Sequence, residues 1–542
     1  MSKKNYKNNK FKPTSSAVPI KQNKGYSETT ASYIRKAFKG FTGHSGSPNE
    51  DINYNNQTLR ERARLLSMSG GVALSALKTN RTNVIGCGLT LKAAVDKKVL
   101  GLKEEQAQEW QENIEREYQL WAENKFQCDA LGLNDFYKIQ QLVFFSSLQN
   151  GDCFTLIQRE EDEVDDMHPY SLRLNVVEAD RIQTPTDSAD GVVCSTDGKN
   201  SNNKNRIYDG VEVSDKGKIV AYHIRNNYRH EYHCESTKWT RVEVLGEKTK
   251  LPNVIHVMAD VERAGQLRGV PYLAPVLEYL LQIRRYTDSE LMAAVVESCF
   301  TAFIETEART DENPLNTVDQ GEPPIPLSDD EYEMGPGNIN ILKPGEKVTF
   351  GDPKRPAGGF QNFVEAVCVQ MGATLEISKE ILLKEFNSSY SAARAALLEF
   401  WKVVKMRREW FISDFMRPIY EIFVYEAVAR GRISAPGFFT NPIIRQAWLG
   451  ADFIGPSQGT LDPIKEITAE KLACDCGFST HAESAIRLNG SEFKKNIESL
   501  KSENQDIAIA TALSEETTKL IDEIIRNAVT NGGNNGKSDD SK

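Results

Sequence analysis

Two long helical patterns, separated by a stretch that cannot be helical, constrain this chain more than any other feature. The first covers residues 276–299 and is introduced by Pro271 and Pro275; at a helical rise of about 1.5 Å per residue it reaches roughly 36 Å. The second covers 391–430, where Ser388 or Ser389 can cap it, Pro418 is expected to kink it and Gly431 ends it. A helix of about 60 Å that lacks a sustained heptad needs neighbours along its length. A symmetric ring of identical chains can supply them. Between the two patterns, Pro314, Pro323, Pro324, Pro326, Pro336 and Pro344 prevent the segment 307–350 from continuing either helix. Within it 339–342 and 347–350 read as short strands, and a further helix is expected over 360–372.

Upstream, Thr58 and Glu61 have capping-box spacing and predict the start of a helix that runs through Leu59, Ala63, Leu66, Ala73 and Leu77. Gly86 and Gly88 then mark a turn into a strand at 89–91. Helices are expected over 103–124 and 134–149. From there the period shortens to β-like runs at 153–158, 172–177, 211–213, 219–224 and 254–258. The fold class is α+β, and 542 residues exceed what one core usually serves. Residues 1–55 read as a disordered basic arm, and the last thirty as a short helix with a disordered Gly/Asn/Ser/Asp tail.

Charge is unevenly spread. Residues 1–24 carry seven lysines and no acid, so removing them takes the formal net charge from −10 to −17. A protein that grips duplex DNA presents a basic surface; this body does not, so DNA, if it is a partner, would pass rather than be held, and the acidity fits a role in solubility alone at least as well. Nine scattered cysteines form no disulfide framework, and reduced thiols are expected. The most apolar stretch, 291–304, is broken by Glu297 and is too short to span a bilayer, and no secretory signal opens the chain. A soluble, intracellular protein is expected.

Little in the sequence carries chemistry. There is no G-x-x-x-x-G-K-[ST] phosphate cradle and no G-x-S-x-G elbow. Cys474 and Cys476 with His481, and His230 and His233 with Cys234, lack the paired spacing of a zinc site. The run Glu160-Glu161-Asp162-Glu163 with Asp165-Asp166 reads as a solvated hairpin loop rather than a cation site. Aromatics at 400, 401, 410, 411, 415, 423 and 425 suit packing better than base stacking, and Arg407 and Arg408 suit salt bridges between subunits better than DNA contact. No cofactor and no metal are expected. An enzymatic reading, a metal-dependent nuclease or protease, would have to use the acidic run or the Cys/His groups.

Taken in order, several fragments resemble the lambda-type phage portal family over roughly 50–500. They are Leu59-Arg60-Glu61-Arg62-Ala63-Arg64-Leu65-Leu66, Asn83-Val84-Ile85-Gly86-Cys87-Gly88-Leu89, Gly151-Asp152, Val177-Glu178-Ala179-Asp180-Arg181-Ile182 and Gln266-Leu267-Arg268-Gly269-Val270-Pro271. Further on come Ser389-Tyr390-Ser391-Ala392-Ala393-Arg394-Ala395-Ala396-Leu397-Leu398-Glu399 and Asp462-Pro463-Ile464-Lys465-Glu466.

The resemblance implies a non-enzymatic ring, usually of twelve subunits, through which double-stranded DNA passes without sequence preference. It implies a wing over 56–270, a first stem helix over 271–304, a clip over 305–350 and a second stem region over 351–383. A channel loop over 384–390 would follow, then a long wing helix and its continuation over 391–454, a crown over 455–515 and a C-terminal helix and tail over 516–542. Lys384, Asn387, Ser388, Ser389 and Tyr390 would face the channel. Asp329, Asp330 and Glu331 on the clip would dock the terminase large subunit. Head-completion and tail connector proteins, the major capsid protein and scaffold are the other implied partners. The place implied is the capsid portal vertex of the virion, reached through the host cytoplasm.

Overall fold

The computed structural model describes residues 35–41, 43, 46–185, 200, 203–231, 237–298, 302–306, 346–350, 359–386, 389–459 and 462–532. After a short 3-10 turn at Lys36–Phe38, α1 (Pro48–Met68) is capped by Ser47, eleven residues before the expected cap at Thr58. Ser47 and Glu50 form the capping box and Pro48 occupies the first turn. Residues 48–55 therefore belong to the folded body rather than to the arm. The helix is also not continuous to Leu77: Gly70 and Gly71 both take positive φ, and α2 (Gly71–Val84) starts afresh. β1 (Thr90–Ala93) follows the expected glycine turn. Then come α3 (Lys97–Leu100), α4 (Glu104–Glu123), α5 (Lys125–Cys128) and α6 (Phe136–Asn150).

The β-rich part is two antiparallel sheets. One has the order β3-β2-β8, from β2 (Asp152–Arg159), β3 (Leu172–Glu178) and β8 (Val254–Met258). The other is a meander of β4 (Arg206–Tyr208), β5 (Val211–Val213), β6 (Ile219–Arg225) and β7 (Trp239–Glu243). Phe154, Val177, Ile182, Val211, Tyr222 and Val254 fill the space between the sheets. A larger apolar core ties α1, α2, α4 and α6 to the later helices.

α7 (Leu277–Ser298) is the first long helix. Beyond it β9 (Ala302–Thr306) pairs antiparallel with β10 (Glu346–Phe350), Thr306 opposite Glu346, so the proline-rich excursion leaves from and returns to one two-stranded ladder. The strand expected at 339–342 lies outside the described residues. α8 (Phe360–Thr374) returns along α7, with the Tyr286 ring against Phe360 and Phe363. α9 (Lys379–Leu383) precedes α10 (Tyr390–Phe411), which Ser389 caps.

The disturbance expected at Pro418 takes the form of a π-turn over 412–416 that leads into α11 (Arg417–Ala429). Proline has no N–H to give the carbonyl four residues back, and its ring crowds that carbonyl; a widened turn relieves both. α12 (Pro442–Trp448) and β11 (Ala451–Ile454), paired with β1, close the body.

The C-terminal segment is α13 (Pro463–Asp475), α14 (His481–Asn489) and α15 (Phe493–Gly532). The expected short final helix is instead part of one 40-residue helix, which crosses the boundary set at 515/516. No helix among the described residues is long and apolar enough to cross a membrane.

Candidate functional site

Four of the fragments quoted above converge on one buried carboxylate. Asp152 begins β2 and is wholly buried. Its oxygens accept from Arg268 Nε at 2.7 Å, from the Gly269 N–H at 3.0 Å and from Arg60 Nη2 at 3.4 Å. Arg268 also donates to the carbonyls of Ala179 and Ile182, both at 2.9 Å, and pairs with Asp209 at 2.8 Å. Arg60 reaches the Asn150 carbonyl, and Arg64 reaches the Asn150 side chain and Asp180. Burial alone would raise the Asp152 carboxyl, but Arg268 and Arg60 hold it well below the ordinary carboxylate range.

His256 lies beside this carboxylate at 3.4 Å and stacks on Phe154. Burial lowers its pKa and the neighbouring Asp152 offsets this only in part, so the imidazole is neutral at pH 7. Gly151 and Gly269 touch backbone to backbone. A Cβ on Gly269 would lie 2.0 Å from the Gly151 carbonyl oxygen, and Gly151 itself has φ +92°. The chemistry available here is clamping: Arg60, Arg64 and Arg268 each reach a carboxylate and a carbonyl or amide oxygen, although Arg64 Nε is left without a partner among the described residues. The one nearby nucleophile, the Cys153 thiol, is pushed by burial to about 12.

A second clamp sits on the long helix. Arg407 is buried and contacts Asn80 at 2.5 Å, Glu376 at 3.3 Å and Asp260 at 3.7 Å, with the Tyr272 ring beneath its guanidinium. Arg408 donates to the carbonyls of Asn83, Val84 and Pro456, satisfying the end of α2 and the start of the C-terminal segment together. Both arginines are thus engaged within their own chain, which corrects the expectation of inter-subunit salt bridges. Buried arginines need several acceptors each to offset lost hydration, and the chain supplies them locally apart from Arg407 Nε, which has none among the described residues. The expected aromatic packing is likewise intramolecular for Phe400, Trp401, Phe411, Phe415 and Phe423, which are buried, while Trp410 is partly exposed.

Three acids that pair with these arginines, Asp209, Asp260 and Glu376, have φ of +45°, +36° and +56°. Left-handed backbone costs a non-glycine residue about 1 kcal/mol or more, and here it aims a carboxylate at a buried cation. Nothing in the sequence distinguishes these acids from others. The sheets hold a comparable centre: Glu212 accepts from His223 and Arg241 at 2.9 Å, and from Asn203 and Asn205 at 2.6 and 2.8 Å.

The segment 384–390 joins α9 to α10. Lys384 is exposed and ends α9 at φ +56°, a position that glycine usually fills. Ser389 accepts from the Ala392 N–H, and Tyr390, half exposed, starts α10. Asn387 and Ser388, and the acids Asp329, Asp330 and Glu331, lie outside the described residues. The acidic run 160–166 is the turn between β2 and β3, where Glu161 pairs with Arg430 and Glu160 and Glu163 lie near Arg173. Cys474 contacts Ser484 and Cys476 is exposed. Among the described residues no cluster of three or more His, Cys, Asp or Glu could hold a metal ion.

Comparison with known proteins gives a consistent set of relatives. The family model described as phage portal protein, lambda family, matches residues 35–408. Portal protein B of Escherichia phage lambda is 23% identical over 443 residues, covering 79% of each chain. The portal protein of Escherichia phage N15 is 22% identical over 445 residues, covering 79% of this chain and 80% of that one. A solved chain from the neck of a native GTA particle, computed with C12 symmetry, aligns over 80% of this chain and 92% of its own at 10% identity and a TM-score of 0.41.

Proposed function

Since the chain belongs to the lambda family of phage portal proteins, we propose that its copies close into a ring, of about twelve, whose lumen passes DNA into and out of the capsid at one vertex of the virion. The observation that carries this reading is where apolar surface is left over. On α7, Leu291 and Met292 are 64% and 63% exposed, and on α8 Phe363 and Val369 are about half exposed, although the two helices pack on each other. Neighbouring copies set side by side would cover such faces.

In this reading α7 and α8 form the stem, and 305–350, leaving from the β9–β10 ladder, is the clip that docks terminase and later the head-completion and tail connector proteins. Capsid and scaffold proteins meet the outer body. Lys384 to Tyr390 face the lumen, where Lys384 brushes passing phosphates. The chain itself performs no catalysis; the motor partner supplies the energy.

Native mass measurement tests the ring: about 0.7 MDa is expected for twelve copies of 60.8 kDa. A stable monomer at micromolar concentration and physiological salt overturns it. Reversing the charge of Asp329, Asp330 and Glu331 is expected to weaken terminase capture while rings persist. Purified rings are expected to hydrolyse ATP no faster than buffer, and turnover that survives repurification would favour the enzyme reading.

A further inference from the structure

One corner of the body spends buried polar groups to hold apolar side chains in water. Asp129, just after α5, is nearly buried and accepts from the backbone N–H groups of Leu131, Leu133 and Asn134 at 2.9 to 3.0 Å. Arg173, buried on β3, donates to the carbonyls of Gln127 and Tyr170 at 2.6 and 2.8 Å. The Gln127 side chain in turn holds the Met167 carbonyl at 3.2 Å, which joins this loop to the β2–β3 turn. Gly132, at φ +64°, lets the Phe126 ring lie against the backbone, where a Cβ would stand 3.1 Å from it.

The side chains displayed on this fixed framework are Phe126, Leu131, Leu133 and Met167, each 61–76% exposed. A floppy loop could fold such tips inward. This one cannot, so only an occupant can cover them.

The rim states what that occupant must carry. Six of the seven residues 160–166 are acidic. Glu161 is paired with Arg430, Asp165 is hydrogen-bonded to the His168 ring, and Glu160 and Glu163 lie near Arg173. Asp162 and Asp166 are exposed and have no ion pair among the described residues. The fitting segment is basic and apolar, and residues 1–24 have that composition: seven lysines and no acid, interleaved with Tyr6, Phe11, Val18 and Ile20.

It is also within reach. Arg263 holds Asp51 at 2.6 Å and the Gly46 carbonyl at 3.0 Å, which fixes where the N-terminus enters, beside Leu267 and Arg268. Arg268 grips Asp152 at the start of β2, and the acidic turn lies at the other end of that eight-residue strand. At about 3.4 Å per residue the strand spans roughly 24 Å, whereas 34 residues extend to as much as about 110 Å. We propose that the Asp129 corner seats this chain's own N-terminal arm, residues 1–34, with its lysines on the acidic turn and its apolar side chains on Phe126, Leu131, Leu133 and Met167. Tethering makes the contact intramolecular, so individually weak, salt-sensitive contacts suffice.

Zero-length carbodiimide cross-linking of the full chain, mapped by mass spectrometry, tests this. Links from Lys3–Lys24 to the acids of 160–166 are expected to dominate, within one copy when light and heavy chains are mixed. Leu131→Ser with Leu133→Ser adds no charge and leaves the melting temperature unchanged, and it is expected to lower those links about tenfold, the factor equivalent to 1.4 kcal/mol. Asp162→Asn with Asp166→Asn is expected to lower the links to the remaining acids of the turn and to make them less sensitive to salt. Links that stay undiminished in the serine variant, that join different copies, or that scatter over other acids overturn the proposal.

Discussion

The body and the C-terminal helices are built on opposite principles. In the body, whole arginines and carboxylates are buried and paired, and aromatic rings interlock around Tyr118, Trp121, Phe136 and Phe423. α13, by contrast, buries none of its residues and α14 buries only Ser484, although both are well capped. The described side chains of α15 beyond Lys494 are almost all exposed, Ile497, Leu500 and Ile507 among them. Caps and local charge pairs such as Lys92 with Glu492 orient these helices but contribute little. The body is closed around its own core, which also takes in the near ends of α7 and α8 through Leu277, Leu280, Cys368 and Met371, whereas the C-terminal helices and the far part of α7 leave apolar side chains uncovered.

The largest effect is expected from Asp152→Ala, which leaves Arg60 and Arg268 buried without their shared partner. About 3–5 kcal/mol should be lost in denaturant unfolding. Gly151→Ala, which places a Cβ against the Gly269 backbone at positive φ, is expected to cost about 1–3 kcal/mol by the same measurement.

Acid should attack the same node in two steps. The His256 pKa is depressed by burial, so its contribution is fully present above the unfolded value of about 6.5 and is lost as pH falls toward the folded one, at up to about 1.4 kcal/mol per pH unit. Asp152 is depressed by Arg268 and Arg60, so its larger contribution disappears only below the unfolded value of about 3.9. Melting temperature against pH should show both limbs, and His256→Gln should erase the upper one. A curve flat from pH 7 to 5 in the native chain would remove His256 from this account.

Smaller still, Lys384→Gly relieves left-handed backbone and should stabilise the end of α9 by at most about 1 kcal/mol. If packaged DNA length also falls, the lysine is retained for its charge. Leu291→Glu with Met292→Glu inverts the comparison: chain stability should move by no more than about 0.5 kcal/mol, while ring yield collapses. Loss of stability instead would mean that α7 belongs to the body.

How legible was this from sequence? Long periodic elements were legible: α4, α6, α7, α8 and the strands at 211–213 and 254–258 lie where periodicity puts them. The start of α1 was misread because Thr58-x-x-Glu61 repeats, inside the helix, the spacing that Ser47-x-x-Glu50 has at its true cap. Pro48 was the signal that separates the two. The three-residue strand β4 is held by its neighbour β5 rather than by any pattern of its own. α15 was cut short because its polar middle, around 514–519, interrupts the apolar period without a breaker. Arg60, Asp152 and Arg268 stood inside the quoted fragments, yet only three-dimensional packing shows that they meet. Asp209, Asp260 and Glu376 had no sequence signal at all, since their role depends on backbone dihedrals.

The π-turn at 412–416 has a geometric corollary. Such a turn holds one residue more than a regular helical turn, so α10 is rotated by about 100° relative to a continuous count from α11. Arg407 and Arg408, one turn before it, contact Asn80 and the end of α2 from this offset position. The surplus residue acts as an angular shim: deleting any one position in 412–416 would make a straighter, more regular helix and swing both guanidinium groups, together with the entry to the 384–390 loop, away from their seats. Insertions and deletions here should therefore be far less tolerated than substitutions.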